Sequence, residues 1–295
     1  MLTPFKHNRS MNRLTSEQRA AVVSCLIEGC SIRSTVRMTG VCKKTVMRLV
    51  VEVGAFCSEY QDKAFRNLHC QRLQVDEMWS FVYAKAKNVT PEIAANHIAG
   101  DAWLWVAIDA ETKLVPCWYV GQRDAIAATE FIQDIESRLA NRVQLTSDGL
   151  RLYLDAVVDA FGEGVDYAKL VKYYGNASDE GQKRYSPAEC TGAEKIRVIG
   201  DPDPKYISTS YVERQNLSVR MTNRRFTRLT NAFSKKIENH AASVALGYFA
   251  YNFIKIHRTL RMSPAMAAGV TTRLWEVADL VAAWEAWGQR QERAA

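Results

Sequence analysis

The stretch Leu73–Tyr83, Leu-Gln-Val-Asp-Glu-Met-Trp-Ser-Phe-Val-Tyr, reads as a β-strand, and an acid, Asp76, sits inside it. A carboxylate in a central strand costs on the order of several kcal/mol unless it is paired or binds a metal. A salt bridge, an edge-strand position and a metal site are therefore the three ways to accommodate Asp76. Side chains alternate along a strand, so Glu77 is expected on the opposite face.

The surrounding pattern extends this strand into a sheet. Trp103–Ile108 and Lys113–Val120, joined by Asp109-Ala-Glu-Thr, form a hairpin pattern. A helix is expected over Asp124–Leu139, with Ala128, Phe131, Ile132, Ile135 and Leu139 on one face. A short strand over Val143–Thr146, a helix over Leu150–Phe161 and a strand over Tyr167–Tyr173 follow. Three antiparallel strands and two helix-linked parallel ones describe an α/β sheet of the RNase H-like kind. A polar stretch over 175–205 then reads as a flap, followed by a long basic helix from Ser208, a helix over 232–256 and a last helix around Arg273–Trp287.

Two further acids fall in unusual places. Asp148 follows the Val-Gln-Leu-Thr strand and precedes Gly149, beyond a strand's carboxyl end, where ligands of open α/β sheets gather. Ser-Asp-Gly is equally a turn and helix cap. Glu213 opens a basic helix over 214–236 containing Arg214, Arg220, Arg224, Arg225, Arg228, Lys235 and Lys236. It would suit either a metal beside a phosphate backbone or an ordinary pairing with arginine at a helix start. Arg220, almost two turns on, shares its face. Together Asp76, Asp148 and Glu213 read as metal ligands of a phosphoryl-transfer site, since two hard ions can stabilise both the attacking and leaving oxygens. Asp101 and Asp109 are rival ligands, Trp79 is either a stacking or a core residue, and His240 and His257 are alternative bases.

The net charge of +7 favours a polyanionic partner, and no apolar run approaches the roughly 18 residues of a membrane span, so DNA is expected rather than a membrane. Seven cysteines without a C-x-x-C pair point to a reducing cytoplasm. A zinc site from Cys57, His69 and Cys70 would lack a well-spaced fourth ligand, so zinc is not expected.

After a loose arm over 1–13, Thr15-Ser-Glu-Gln18 has the form of a capping box. It opens the first of three short helices with helix-turn-helix spacing over 14–56. In the third, from Cys42 to about Val53, Val46, Leu49 and Val50 face inward and leave Lys43, Lys44, Thr45 and Arg48 for a major groove. A linker over 57–71, a catalytic unit over 72–262 and a helical tail over 263–295 complete the expected organisation.

Val-Asp-Glu-Met-Trp-Ser-Phe-Val-Tyr-Ala-Lys (75–85), Thr-Ser-Asp-Gly-Leu-Arg-Leu-Tyr (146–153) and Ser-Tyr-Val-Glu-Arg-Gln-Asn-Leu-Ser-Val-Arg (210–220), with Phe233-Ser-Lys-Lys and Tyr251-Asn-Phe, resemble the bacterial insertion sequence one family of DDE transposases over about residues 73–260. The resemblance implies an RNase H-like catalytic domain, two Mg²⁺ or Mn²⁺ ions, and Asp76, Asp148 and Glu213 as the triad, with Arg220 at the basic position after the Glu. It implies binding to double-stranded DNA, both terminal inverted repeats and target, by at least a dimer in the bacterial nucleoid. Paired C-x-x-C zinc ligands, frequent in that family, are absent from this sequence, which leaves end recognition to the helix-turn-helix. An RNase H-like nuclease without strand transfer and an inactive DNA-binding repressor are the alternative readings.

Overall fold

The computed structural model describes residues 13–175, 190–227 and 230–294, so most of the expected arm and Arg228 lie outside the described residues. Three helices come first: α1 (Ser16–Ile27), α2 (Ile32–Thr39) and α3 (Lys43–Ala64). The Thr15–Gln18 capping box is formed in both directions. Gly40, in the left-handed region at φ +70°, ends α2.

The sheet has six strands: β1 (Arg72–Val82), β2 (Gly100–Asp109), β3 (Cys117–Gly121), β4 (Gln144–Ser147), β5 (Asp166–Tyr174) and β6 (Cys190–Ile199). Their order is β3-β2-β1-β4-β5-β6. β1 runs antiparallel to β2 and parallel to β4, β4 runs parallel to β5, and β6 closes the edge antiparallel to β5. The remaining helices are α4 (Pro91–Asn96), α5 (Ala125–Arg138), α6 (Leu152–Phe161), α7 (Ser210–Thr222), α8 (Ile237–Phe249), which continues as a π-helical turn through Ile254, α9 (Pro264–Ala267) and α10 (Val277–Ala294). No helix among the described residues is long and apolar enough to cross a membrane.

Alternation along β1 builds two cores. Leu73 and Val75 join Trp105, Phe131 and Tyr153 under α5 and α6. Met78 joins Leu104 and Val106 under Val212 and Val219 of α7 and Val244 and Tyr248 of α8.

Several expected boundaries move. The predicted linker over 57–71 is largely helix: α3 runs unbroken to Ala64 and buries Phe56, Cys57 and Gln61. The second strand of the hairpin starts at Cys117 rather than Lys113, because the side chain of Asn252 takes both the N–H and the C=O of Val115, each at 3.0 Å. The polar stretch expected as a flap contains β6. The basic helix expected to reach 236 stops at Thr222, where Asn223 turns its amide to the Ser243 carbonyl at 3.2 Å. The next helix begins at Ile237, not 232, because the chain at Ser234 lies alongside the end of β1 and accepts a 2.8 Å hydrogen bond from Tyr83 N–H. The tail helix α10 docks on the first helices: Glu285 pairs with Arg19 at 2.5 Å and Trp287 donates to Glu59 at 3.0 Å.

Candidate metal centre at the sheet switch point

β1 pairs with β4 only from Arg72 to Gln74, and β4 ends at Ser147. Beyond that point Asp148 follows the end of β4 as β1 continues with Asp76 and Glu77. Carboxylate oxygens of Asp76, Glu77 and Asp148 lie within 4.8 Å of one another, and among the described residues these three are the one such group of His, Cys, Asp or Glu. Asp148 also closes a turn, its Oδ1 accepting from Leu150 N–H at 2.9 Å, so the turn reading holds at a residue whose carboxylate also lies in the acid cluster.

Glu77 corrects the expectation drawn from alternation. Its backbone position does belong to the other face, where Tyr153 packs, but its carboxylate reaches the acid cluster. Arg123 donates to Glu77 Oε1 from Nε and Nη2 at 2.9 and 2.7 Å, and the Tyr153 hydroxyl donates to Oε2 at 3.1 Å. Burial and the charge of Asp148 push its carboxyl above the ordinary range, with Arg123 opposing. Asp76 is pushed up to about 7, first by burial, then by Glu77, Asp148 and Glu213.

Glu213 sits in the first turn of α7 and adds to the field at Asp76, but its carboxylate is engaged elsewhere. It accepts from Thr209 Oγ1 at 2.6 Å and pairs with Lys172 of β5. The contact from α7 to the acids is instead Asn216, whose Nδ2 donates to Asp76 Oδ2 at 2.8 Å. Asn216 Oδ1 is buried without a hydrogen-bond partner. Asn216 lies three residues after Glu213 and so shares its helix face, a spacing visible in the sequence. Lys172 had no such local signal.

The rival acids are used structurally. Asp101 accepts from Ala86 N–H at 3.0 Å, and Asp109 holds the hairpin turn through Thr112 N–H at 2.9 Å. His257 sits beside Thr259, with Nδ1 3.0 Å from its hydroxyl.

His240 is fully buried, its Nε2 3.0 Å from Ser80 Oγ, and burial together with Arg225 draws it down to about 4. It stays neutral in the fold at neutral pH, enclosed beside Ser80. Because its folded value lies below the unfolded one, the stability linked to it is present above pH ~6.5 and is lost as pH falls toward ~4. In urea unfolding, the stability of the wild type relative to His240→Gln should therefore fall by up to ~3 kcal/mol between pH 7 and 4, because other titrating groups such as Asp76 are common to both proteins. An unchanged pH profile in that variant would refute it.

Of the DNA-facing candidates, Lys43, Lys44 and Arg48 are exposed and Thr45 is half-buried on α3, over buried Val46, Leu49 and Val50. Arg214 and Arg224 are exposed, and Arg220 is half-buried. Arg225 turns inward instead, donating to Ser234 Oγ at 2.7 Å and Ser243 Oγ at 2.8 Å. It fastens the segment at 234 to α8.

No protein-family model and no curated protein matches the chain. Among solved structures it is similar to a simian T-cell lymphotropic virus intasome in complex with PP2A regulatory subunit B56 gamma, at 12% identity over 85% of this chain and 74% of that one, TM-score 0.34. It is also similar to a piggyBac transposase synaptic complex with hairpin DNA, at 10% identity over 98% and 76%, TM-score 0.37. A pre-cleavage Mos1 transpososome aligns at 9% identity over 84% and 80%, TM-score 0.25. Likeness of this degree is partial, and what the acids can do follows from their own geometry.

Proposed function

We propose that the chain is a DNA transposase with an RNase H-like catalytic unit, akin to the insertion sequence one family, whose carboxylates hold divalent metal for displacement at phosphorus. The observation that carries this reading is the convergence of Asp76, Glu77 and Asp148 within 4.8 Å at the place where β4 leaves β1. Like charges brought together out of water need cations to stay ionised.

The donor set fits hard ions. It is all oxygen, and the unpartnered Asn216 Oδ1 adds a neutral one, which suits Mg²⁺ or Mn²⁺ better than zinc. Asp76, inside β1, and Asp148, just past the end of β4, are the ligands fixed by the sheet, and Glu213 completes the triad by leaving Lys172. Glu77, with both oxygens taken by Arg123 and Tyr153, positions its neighbours. When bound, a pair of such ions supplies the charge that stabilises the attacking and leaving oxygens of an in-line displacement. Cutting by water and attack by the freed 3′ hydroxyl on target DNA are both displacements of this type, so one set of carboxylates serves both.

Helices α1–α3 act as the helix-turn-helix that grips terminal inverted repeats through Lys43, Lys44, Thr45 and Arg48. Arg214, Arg220, Arg224 and Arg228 hold the backbone near the acids, giving binding that weakens steeply with salt. Joining two ends requires a dimer or higher assembly on DNA, working in the bacterial nucleoid.

The test is incubation of the full chain with Mn²⁺ and a plasmid carrying the element's ends. Cut and joined products are expected, and Asp148→Asn should remove both. Cutting without joining, across metals and end sequences, identifies a nuclease. Unchanged DNA activity in Asp148→Asn sinks the metal-site reading.

A further inference from the structure

β1 does not end at the acids. Two residues beyond Glu77 on the same face stands Trp79, and two beyond that Phe81, about 7 Å per step along the strand. Both rings are half-buried, and neither belongs to either hydrophobic core. Two large aromatics are thus left half in water, outside both cores, on the strand that carries the half-buried acid cluster.

Their surroundings form a shelf. The Trp79 and Phe81 rings lie 5.7 Å apart at 33°, and Phe81 meets Phe233 at 5.0 Å. The exposed Lys85 ammonium sits 5.6 Å from the Trp79 ring and 5.8 Å from the Phe81 ring. Lys235 and Lys236, both exposed, follow Phe233. The shelf is held in place: Tyr83, in the left-handed region at φ +64°, ends the strand and its N–H is fixed by Ser234 C=O at 2.8 Å. The edge of β1 between its pairing with β4, which ends at Gln74, and its bridge to Ser234 at Val82 has no strand along it among the described residues.

We infer that Trp79 and Phe81, with Lys85, form a stacking platform for an unpaired DNA base next to the phosphodiester held at the acids. The inference rests on the transposase reading above and names the form of DNA that the site takes: a strand end with its bases out of the helix. Aromatic faces accept any base, and the lysines meet the adjoining phosphates, so the preference is for single-stranded character rather than for sequence. A blunt duplex keeps its bases stacked on each other and gains nothing from the rings.

The experiment uses the full chain in EDTA with two probes, a blunt duplex and the same duplex with a single-stranded overhang carrying 2-aminopurine at its first unpaired position. The wild type should bind the overhang probe about tenfold more tightly than the blunt one and change the 2-aminopurine emission. Trp79→Ala should abolish both differences while leaving blunt-duplex affinity intact, and Trp79→Phe should restore most of them. Phe81→Ala should act in the same direction, with circular dichroism confirming that each variant is folded. If Trp79→Ala binds both probes as the wild type does, or weakens both equally, the platform is refuted while the transposase reading stands. If the wild type binds neither probe, both fall.

Discussion

Asp76→Asn should abolish DNA cleavage and, in metal-free protein, raise the melting temperature. The two effects share one cause. Asp76 is held among Glu77, Asp148 and Glu213 with burial as the main perturbation, and its carboxyl is pushed up from 3.8 to about 7. A carboxyl whose folded value is raised destabilises the fold where the unfolded chain would ionise it. The penalty is absent below pH ~3.8, grows between there and pH ~7, and is full above. A gap of about three units corresponds to at most ~4 kcal/mol at neutral pH. Asparagine has nearly the same shape, and its Oδ1 can take the bond that Asn216 Nδ2 gives to Asp76, 2.8 Å long in the wild type. The variant loses the charge and keeps the contact, so several degrees of added stability are expected. Mn²⁺ should stabilise the wild type by preferential binding to the folded state and do little for the variant. Loss of a charge at the reacting phosphate should cost at least ~10²–10³ in cleavage rate. A variant that melts lower and still cuts DNA would mean that Asp76 is an ordinary salt-bridged strand residue.

That opposition of stability and function is what made part of the site legible in the sequence. Asp76 broke the apolar pattern of β1. Glu77 was misjudged because alternation places a side chain's root and not its tip; beside an unpaired strand edge the carboxylate can come round. Lys172, the partner of Glu213, arrives from β5, and no local period reports such a pairing. β6 was missed for a related reason. Its residues are mostly exposed, so it carries no buried face to read, and backbone pairing with β5 alone makes it a strand. The end of α7 carries no glycine or proline; Asn223 sets it through a bond to Ser243, twenty residues away in sequence.

Gly54 interrupts α3 in just the region where the sequence suggested that regular structure stops, and by helix propensity alone Gly54→Ala should stabilise by ~1 kcal/mol. The structure gives glycine another reason to be there. α3 crosses α8 so closely that a Cβ at position 54 would lie 2.4 Å from the Ala242 carbonyl oxygen and 2.7 Å from its Cα and Cβ. These are backbone atoms and a methyl, with no flexible side chain to swing away, so the two helices must separate. Overpacking of this kind costs ~1–3 kcal/mol or more, which outweighs the propensity gain. Gly54→Ala should therefore lower the midpoint of urea unfolding, and Gly54→Val should lower it further. The consequence reaches the basic end of the helix, because α3 carries Lys43, Lys44 and Arg48 at its start and Phe56 and Cys57 in the core beneath the sheet. A displaced α3 moves the basic face relative to Asp76 and Asp148, so cleavage at bound ends should fall by more than the loss of folded protein explains. If Gly54→Ala instead gains the ~1 kcal/mol of helix propensity, α3 is not in contact with α8 and the first helices hang from a free connector, as the sequence had suggested.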